Sequence, residues 1–123
     1  MRSAAIRHDR LDGHGRAVEA DGACYEGGFD AGKRSGHGTM LYAGGDVYIG
    51  QWRRDMKHGR GTYRYAGGEV EVGRYEENKN ADGACKMTDG QTVWRKQDGK
   101  AVGKISLEEA RAIAARVGVP APF

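Results

Sequence analysis

The sequence predicts a mainly β fold: a single-layer antiparallel sheet or solenoid of stacked β-hairpins, with a C-terminal capping α-helix. The first observation is a period of 23 residues, at which Tyr-Ile-Gly-Gln-Trp at residues 48–52 repeats Tyr-Glu-Gly-Gly-Phe at residues 25–29. A fixed period of this length is typical of stacked-repeat proteins. The second observation is the 21 glycines, which follow this period and show no three-residue spacing. The third is a helix-capping signature near the C-terminus.

Each repeat predicts one β-hairpin. In the central copy, a period of two places Tyr48, Gly50 and Trp52 on one face of the first strand. Residues 53–58 are predicted to turn the chain, and residues 61–65 are predicted to form the second strand. The Ala-Gly-Gly sequence that follows supplies the positive φ that tight turns between strands need.

Stacking the hairpins aligns their aromatic side chains into a continuous row across the sheet. One interpretation makes this row the core of a thin sheet. The other makes it the floor of a binding groove, because a single layer cannot cover both of its faces. Since tyrosine and tryptophan dominate binding hot spots, we expect the row to be partly exposed and to bind a partner helix or an extended peptide. The expected protein-binding residues are Tyr25, Phe29, Tyr48, Trp52, Tyr63, Tyr65, Tyr75 and Trp94.

The repeated motifs resemble MORN repeats. The resemblance rests on Tyr-Glu-Gly-Gly-Phe, Gly-Lys-Arg-Ser-Gly-His-Gly-Thr, Tyr-Ile-Gly-Gln-Trp and Lys-His-Gly-Arg-Gly-Thr, all within residues 25–70. Similar proteins are non-catalytic modules of ciliary and cytoskeletal assemblies and of membrane junctions, or appendages of lipid kinases and a protein methyltransferase. The resemblance therefore implies a scaffold or adaptor without enzymatic activity or cofactor, acting as a structural subunit of a larger cytoskeletal, ciliary or organellar assembly.

The repeat register also divides the chain into segments. Repeats are expected over residues 1–98, and the degenerate first copy places Ile6 at the position of Phe29. Atypical terminal copies of this kind cap stacked arrays. The expected segments are a degenerate repeat at 2–24, clear repeats at 25–70, a weaker repeat at 71–93, a partial repeat at 94–98, a linker at 99–105, a helix at 106–118 and a tail at 119–123.

The C-terminal helix is predicted from its capping residues. Ser106 is the expected N-cap, and Glu109 completes a capping box. Apolar residues follow at helical spacing as far as Val117, and Gly118 and Pro120 end the helix. The apolar face of the helix either packs over the last hairpin and hides the sheet edge, which we expect, or docks on another protein. The tail is apolar and could act as a short docking peptide.

Basic residues recur in the turns of successive hairpins and suggest an alternative partner. Stacking aligns these turns along one edge of the sheet, where they could meet an acidic protein or the anionic headgroups of a membrane. The next turn carries Glu76 and Glu77, which limits the patch to two hairpins. The residues of this alternative site are Lys33, Arg34, Arg53, Arg54 and Lys57.

Other classes of function find little support in the sequence. The net charge of +3 is too small to indicate nucleic-acid binding, and no apolar run has the length of a signal peptide or a membrane span. Cys24 and Cys85 fall about 24 Å apart at ~4.8 Å per strand, so we expect free thiols in a reducing compartment, cytoplasmic or cytoskeleton-associated. His14 and His37 follow the repeat rather than metal-ligand spacing, so we expect neither a metal site nor a catalytic set.

Overall fold

The computed structural model describes the backbone of residues 2–4 and all of residues 12–123. In this part of the chain, ten strands form one open sheet in sequence order, and one helix follows them. The elements are β1 (Arg2–Ala4), β2 (Gly13–Val18), β3 (Cys24–Asp30), β4 (Lys33–Leu41), β5 (Val47–Arg53), β6 (Met56–Arg64), β7 (Val70–Glu76), β8 (Lys79–Lys86), β9 (Val93–Gln97), β10 (Lys100–Ile105) and α1 (Leu107–Val117).

Every neighbouring pair of strands from β2 to β10 is antiparallel, which confirms the predicted sheet of hairpins. The first pair differs, because β1 lies parallel to β2 with Arg2 beside Gly15. The match of Ile6 with Phe29 lies outside the described residues.

The turn within each hairpin is shorter than the sequence predicts. Residues 53–58 do not form a loop, because β5 continues to Arg53 and β6 begins at Met56. Only Arg54 and Asp55 remain between the strands, with positive φ angles of 49° and 68°, a geometry that matches the twist of a hairpin. The sequence obscured this turn because it lacks the Asn-Gly or Asp-Gly pair that usually marks one. Consecutive positive φ angles also occur at Ala31-Gly32, Glu77-Asn78 and Asp98-Gly99.

Polar side chains in these turns fasten each hairpin to the preceding one. The Asp55 carboxylate accepts hydrogen bonds from the backbone N–H and the Nε of Arg34, at 2.8 and 3.1 Å. The Asp55 N–H donates in return to the Arg34 carbonyl. Asn78 makes the equivalent backbone and side-chain hydrogen bonds with Lys57 in the next hairpin. These contacts lock the hairpins in register at their turns.

The segment predicted as a linker is largely a strand. Within residues 99–105, β10 pairs with β9 and places Ile105 beside Val93. The reason is the further two-residue turn at Asp98-Gly99, which returns the chain in the antiparallel direction.

The helix begins and ends at the predicted residues. Ser106 is its N-cap and forms a capping box with Glu109, and Gly118 is its C-cap with a φ of 86°. Within the described residues, no helix is long and apolar enough to cross a membrane.

α1 packs on its own sheet over β7, β8 and β9, so it covers a face of the sheet rather than the edge strand β10. The residues of this contact include Ala84, Val93, Ala110 and Ile113.

The aromatic row lies on the opposite face, which we call the ladder face. Tyr25 and Tyr48 are fully buried there, and Phe29, Trp52 and Tyr75 are at most 5% exposed. Neighbouring rings meet edge to face, with centroids 5.1 to 5.4 Å apart. Aromatic quadrupoles favour this arrangement, so the row forms the main core of the sheet.

Glycines allow each ladder tyrosine to lie flat across two strands. A Cβ placed on Gly27 would come within 2.7 Å of the Tyr25 Oη, and one on Gly50 within 2.6 Å of the Tyr48 Oη. The two hydroxyls donate to carbonyls three residues further along their own strands, at 2.9 and 3.0 Å. The Tyr-x-Gly spacing of the repeat therefore seats a ring directly on bare backbone.

We expect Trp52→Ala to lower the free energy of unfolding by about 3–5 kcal/mol, as other truncations of buried aromatics do. The indole packs against two tyrosine rings and lies beneath the Arg34 guanidinium. Chemical denaturation measures the change. The control is Val102→Ala, at a side chain in β10 that is 54% exposed, which should cost less than about 0.5 kcal/mol. A loss below about 1 kcal/mol at Trp52 would contradict a core made by the ladder.

Candidate functional site

Three positions near the third repeat depart from the pattern of the first two repeats, and all three lie on the ladder face. Glu71 stands where the period places tyrosine, and Lys96 stands where it places glycine. Asn80 replaces the cations of the earlier copies, Arg34 and Lys57. Strand pairing gathers the three departures on β7, β8 and β9. We call this cluster the polar site; its members are Lys57, Tyr63, Tyr65, Glu71, Tyr75, Asn80 and Lys96.

Glu71 is the centre of the polar site and is only 4% exposed. Its carboxylate accepts hydrogen bonds from the hydroxyls of Tyr65 and Tyr75, both at 2.9 Å. Asn80 Nδ2 donates to it at 3.0 Å, and the Lys96 ammonium lies 3.7 Å away. A buried carboxylate is costly unless it is paired and hydrogen-bonded. These four partners therefore explain how a charge fits into an aromatic core.

Asn80 fills the space that a tyrosine ring fills in the first two repeats. A Cβ placed on Gly73 would meet Asn80 Oδ1, just as one on the equivalent Gly50 would meet the Tyr48 hydroxyl. Asn80 Nδ2 also donates to the Val72 carbonyl at 3.1 Å, which holds the amide over the glycines. The side chains of Glu71 and Asn80 therefore share one space, since the glutamate is smaller than the tyrosine of the earlier repeats and the asparagine fills the gap that remains.

Lys57 covers the ladder on its open side. Its Nζ lies 4.5 Å from the ring centroid of Tyr63, 5.4 Å from that of Tyr75 and 5.7 Å from that of Tyr48. Burial lowers the pKa of this ammonium, an effect that the Glu71 carboxylate opposes. Cation–π attraction holds the ammonium against the rings, so Lys57 acts as a lid on the core.

The alternative basic site is therefore smaller than the sequence predicts. Arg34 has its guanidinium carbon 4.6 Å from the Trp52 ring centroid, and it pairs with Asp55 at 3.1 Å. Arg34 and Lys57 were both expected to meet an anionic partner, but each is engaged within its own chain. The members that remain exposed are Lys33, Arg53 and Arg54, which border a recess of about 410 Å³ together with Asp30.

The aromatic row is more deeply buried than the sequence predicts. Edge-to-face packing closes the rings against one another, and Arg34 and Lys57 cover them. The expectation that every ring in the row could contact a partner is therefore wrong for Tyr25, Phe29, Tyr48, Trp52 and Tyr75. The three partly exposed members are Tyr63, Tyr65 and Trp94.

The polar site opens into a cavity of about 260 Å³ near one end of the ladder face. The rings of Tyr63 and Tyr65 form part of its wall, with centroids 4.7 Å apart. Trp94, at the tyrosine position of the partial repeat, pairs with Cys85 on β8, and Lys104 Nζ lies 5.5 Å from its ring centroid. The cavity and its surroundings thus combine ring faces with ammonium groups.

The two cysteines lie on β3 and β8, five strands apart, as the predicted register requires, and both are free thiols. Burial raises the pKa of Cys85 to about 11, so this thiol is not a nucleophile near neutral pH. In the part of the chain that the structure describes, no group of three or more histidine, cysteine, aspartate or glutamate side chains is arranged to hold a metal ion.

Reasoning from the sequence did not single out Glu71, Asn80 and Lys96 as site residues. A signal was present, because each residue breaks a position that two earlier copies share. The positions at which the later copies differ from the earlier ones identify these three residues. Their clustering is a tertiary fact, since β8 must lie between β7 and β9 to bring them together.

Because Glu71 and Asn80 share one space, the effects of mutating them on the free energy of unfolding should not be additive. Glu71→Tyr alone should destabilise the protein, because the new ring meets the Asn80 amide. Asn80→Lys alone should also destabilise it, because the buried carboxylate loses a donor. The double variant restores the pattern of the second repeat, so it should exceed the stability expected from the two single variants by about 0.5–3 kcal/mol. Denaturant unfolding of the four proteins measures this coupling, and additivity within about 0.5 kcal/mol would refute it.

The buried tyrosines predict instability in alkali. Burial raises the pKa of Tyr25 to about 12 and also raises the pKa values of Tyr48 and Tyr75. A tyrosine whose folded-state pKa exceeds the ordinary value of 10.0 contributes stability that is complete below pH 10.0 and is lost as the pH rises towards about 12. We expect tyrosinate absorbance to appear together with the loss of the β-sheet circular dichroism signal. Gradual ionisation of all tyrosines in a folded protein would be inconsistent with a buried ladder.

Comparison with known proteins agrees with this geometry. The MORN repeat family matches residues 25–47 and 48–70, which together cover the hairpins β3–β4 and β5–β6 apart from Cys24. No curated protein gives a match to the chain. MORN repeats are typically scaffolds for interactions with proteins or membranes, and they are generally non-catalytic. The chain thus contains two MORN repeats, within one open sheet of antiparallel hairpins.

Proposed function

We propose that this protein is a non-catalytic scaffold that binds an acidic segment of a partner protein at the polar site. The main support is that Tyr63, Tyr65 and Trp94 are partly exposed beside the polar site, whereas the rest of the aromatic row is buried. An extended sheet suits a helix or an extended peptide laid across it. As a scaffold the protein would belong to a larger assembly, and its free thiols suit a reducing compartment such as the cytoplasm.

The charges of the polar site favour an acidic partner. Lys79 and Lys96 line the cavity together with one carboxylate, that of Glu71, while Lys57 covers the rings beside it. One carboxylate cannot balance more than one ammonium group, so the cavity keeps a net positive charge. A carboxylate that enters the cavity would meet ammonium groups partly removed from water, which strengthens their attraction.

The same contacts argue for binding rather than catalysis. The Glu71 carboxylate accepts three hydrogen bonds from the chain itself, so both of its oxygens are already engaged. Burial raises the pKa values of Tyr63 and Tyr65, so their hydroxyls stay protonated near neutral pH. These hydroxyls are donors to carboxylates of the chain itself, Tyr63 to Asp46 and Tyr65 to Glu71.

An anionic membrane surface is the second candidate partner. The supporting observation is the exposed trio of Lys33, Arg53 and Arg54 around one recess. Basic residues near an anionic surface contribute about 1 kcal/mol each, so this trio would give only weak attachment. The next turn carries exposed Glu76 and Glu77, which would oppose it.

Peptides selected from a random display library against the immobilised protein test the proposal. We expect the selected sequences to combine aspartate or glutamate with an aromatic or aliphatic residue. Their affinity, measured by fluorescence anisotropy, should fall at least about tenfold for Trp94→Ala and for Lys96→Gly, because hot-spot contacts concentrate binding energy. Lys96→Gly restores the glycine of the repeat, so this variant suits the backbone at that position.

The matched control is the double variant Arg53→Ala plus Arg54→Ala, which removes two cations from the other basic surface. It should leave peptide affinity within about twofold, because neither arginine lines the cavity of the polar site. Raising the salt concentration from about 50 to 500 mM should weaken binding by less than about a hundredfold. Binding that survives Trp94→Ala and Lys96→Gly but is lost in the control variant would reject the polar site.

A further inference from the structure

The face of the sheet that carries α1, which we call the back face, is only half covered. The helix packs over β7, β8 and β9, where Ala84 and Val93 are buried. On β2 to β5 the same face leaves Val18, Leu41 and Ile49 exposed by 41%, 50% and 41%. These are three of the four large apolar side chains exposed in the described residues. We call this uncovered part the back strip.

The back strip continues the surface that the helix already covers. Ile49 pairs with Thr62 on β6, and Thr62 pairs with Val72 on β7. Val72 pairs in turn with Ala84, beneath the helix. Because paired residues point to the same side of a sheet, one row runs from the exposed isoleucine into the helix interface. The packing of α1 therefore shows that this face of the sheet can bind an α-helix.

The C-terminal tail turns part of the back strip into a groove. Residues 119–122 lie opposite β5 and β6 and, with Ile49 and Thr62, line a cavity of about 480 Å³. The end of the tail is fixed to α1, since Arg111 Nε donates to the Phe123 carbonyl at 3.3 Å. One wall of the groove is therefore built by the chain itself, next to its own helix.

The charges of this groove are unbalanced. Arg60 and Arg64 line it from β6, and neither guanidinium makes an ion pair with any residue from 12 to 123. In the covered half, by contrast, Arg95 and Arg116 both pair with Asp82. Arg95 and Arg116 of the covered half thus share a carboxylate partner, whereas the two arginines that line the groove have none among residues 12–123.

We propose that the back strip binds an acidic amphipathic helix of a partner protein. Arg60 and Arg64 are four positions apart on one strand, which is about 13 Å and corresponds to about nine residues of an α-helix. Positions nine apart lie on opposite sides of a helix, whereas positions seven apart share one face and lie about 10.5 Å apart, so acidic residues at that spacing would reach both arginines. The apolar stripe between them would cover Leu41 and Ile49. This surface is separate from the polar site, which lies on the other face.

A second copy of this chain fits the back strip less well. Two strips face to face would bring Arg60 and Arg64 of one copy against arginines of the other, and like charges oppose such contacts. The helix of a second copy is also unsuitable, because its apolar residues Ala110, Ile113 and Ala114 are buried on its own sheet. A helix from a different protein has neither difficulty.

Two synthetic helical peptides test this proposal. They share one apolar stripe and differ at two positions seven residues apart on one helix face, which are glutamate in one peptide and lysine in the other. The wild-type protein should bind the glutamate peptide at least about tenfold more tightly, and Arg60→Glu plus Arg64→Glu should reverse the preference. Ile49→Thr keeps a residue suited to strands and should weaken binding of the glutamate peptide.

The controls separate this surface from the ladder face. Trp94→Ala and Val102→Thr should leave affinity for the glutamate peptide within about twofold, because neither residue lies on the back strip. Equal affinity for both peptides, or no binding of either, would overturn the proposal. Dimerisation that Leu41→Thr abolishes would assign the strip to a second copy. Binding to phosphatidylserine vesicles that requires Arg60 and Arg64, and that the glutamate peptide does not compete with, would assign it to a membrane.

Discussion

The structure depends on a tyrosine ring lying flat on the backbone of two paired glycines. Tyr48 shows the arrangement most clearly, because its hydroxyl sits against Gly50 on its own strand and Gly61 on the next. With no side chain beneath it, the ring acts as a second layer and meets Trp52 edge to face. This is how one sheet without a packed partner sheet buries aromatic side chains completely. Arg34 and Lys57 complete the layer from the open side.

The third repeat replaces this interaction with a polar one. Glu71 takes the place of the ring, Asn80 fills the vacated space and Lys96 approaches from β9. Burying a carboxylate costs free energy that an apolar ring would not. Departures of this kind from local rules tend to mark functional or strained sites in natural proteins. The aromatic row therefore forms the core of the sheet, and we assign partner binding to the polar site that interrupts it.

The two faces of the sheet differ in how far the chain covers them. On the ladder face, rings and cations of the chain itself close the surface except near Tyr63, Tyr65 and Trp94. On the back face a helix and its tail cover the later strands and leave the earlier ones open. Stacked repeats draw stability from contacts with their neighbours, so a face can stay open without loss of the fold. Such a sheet offers two separate surfaces with different chemistry.

The sequence by itself determined the features that depend on local spacing. The 23-residue period predicted the antiparallel hairpins, and Ser106 and Gly118 bounded the helix, because strand alternation and helix caps act within a few residues. Only the tertiary structure decided the rest. The turn at Arg54-Asp55 is held by Arg34, 21 residues away along the chain. The burial of the ladder rings and the assembly of the polar site likewise depend on which strands lie side by side. Strand order brings together residues that are far apart in the chain, and a local sequence pattern does not encode such contacts.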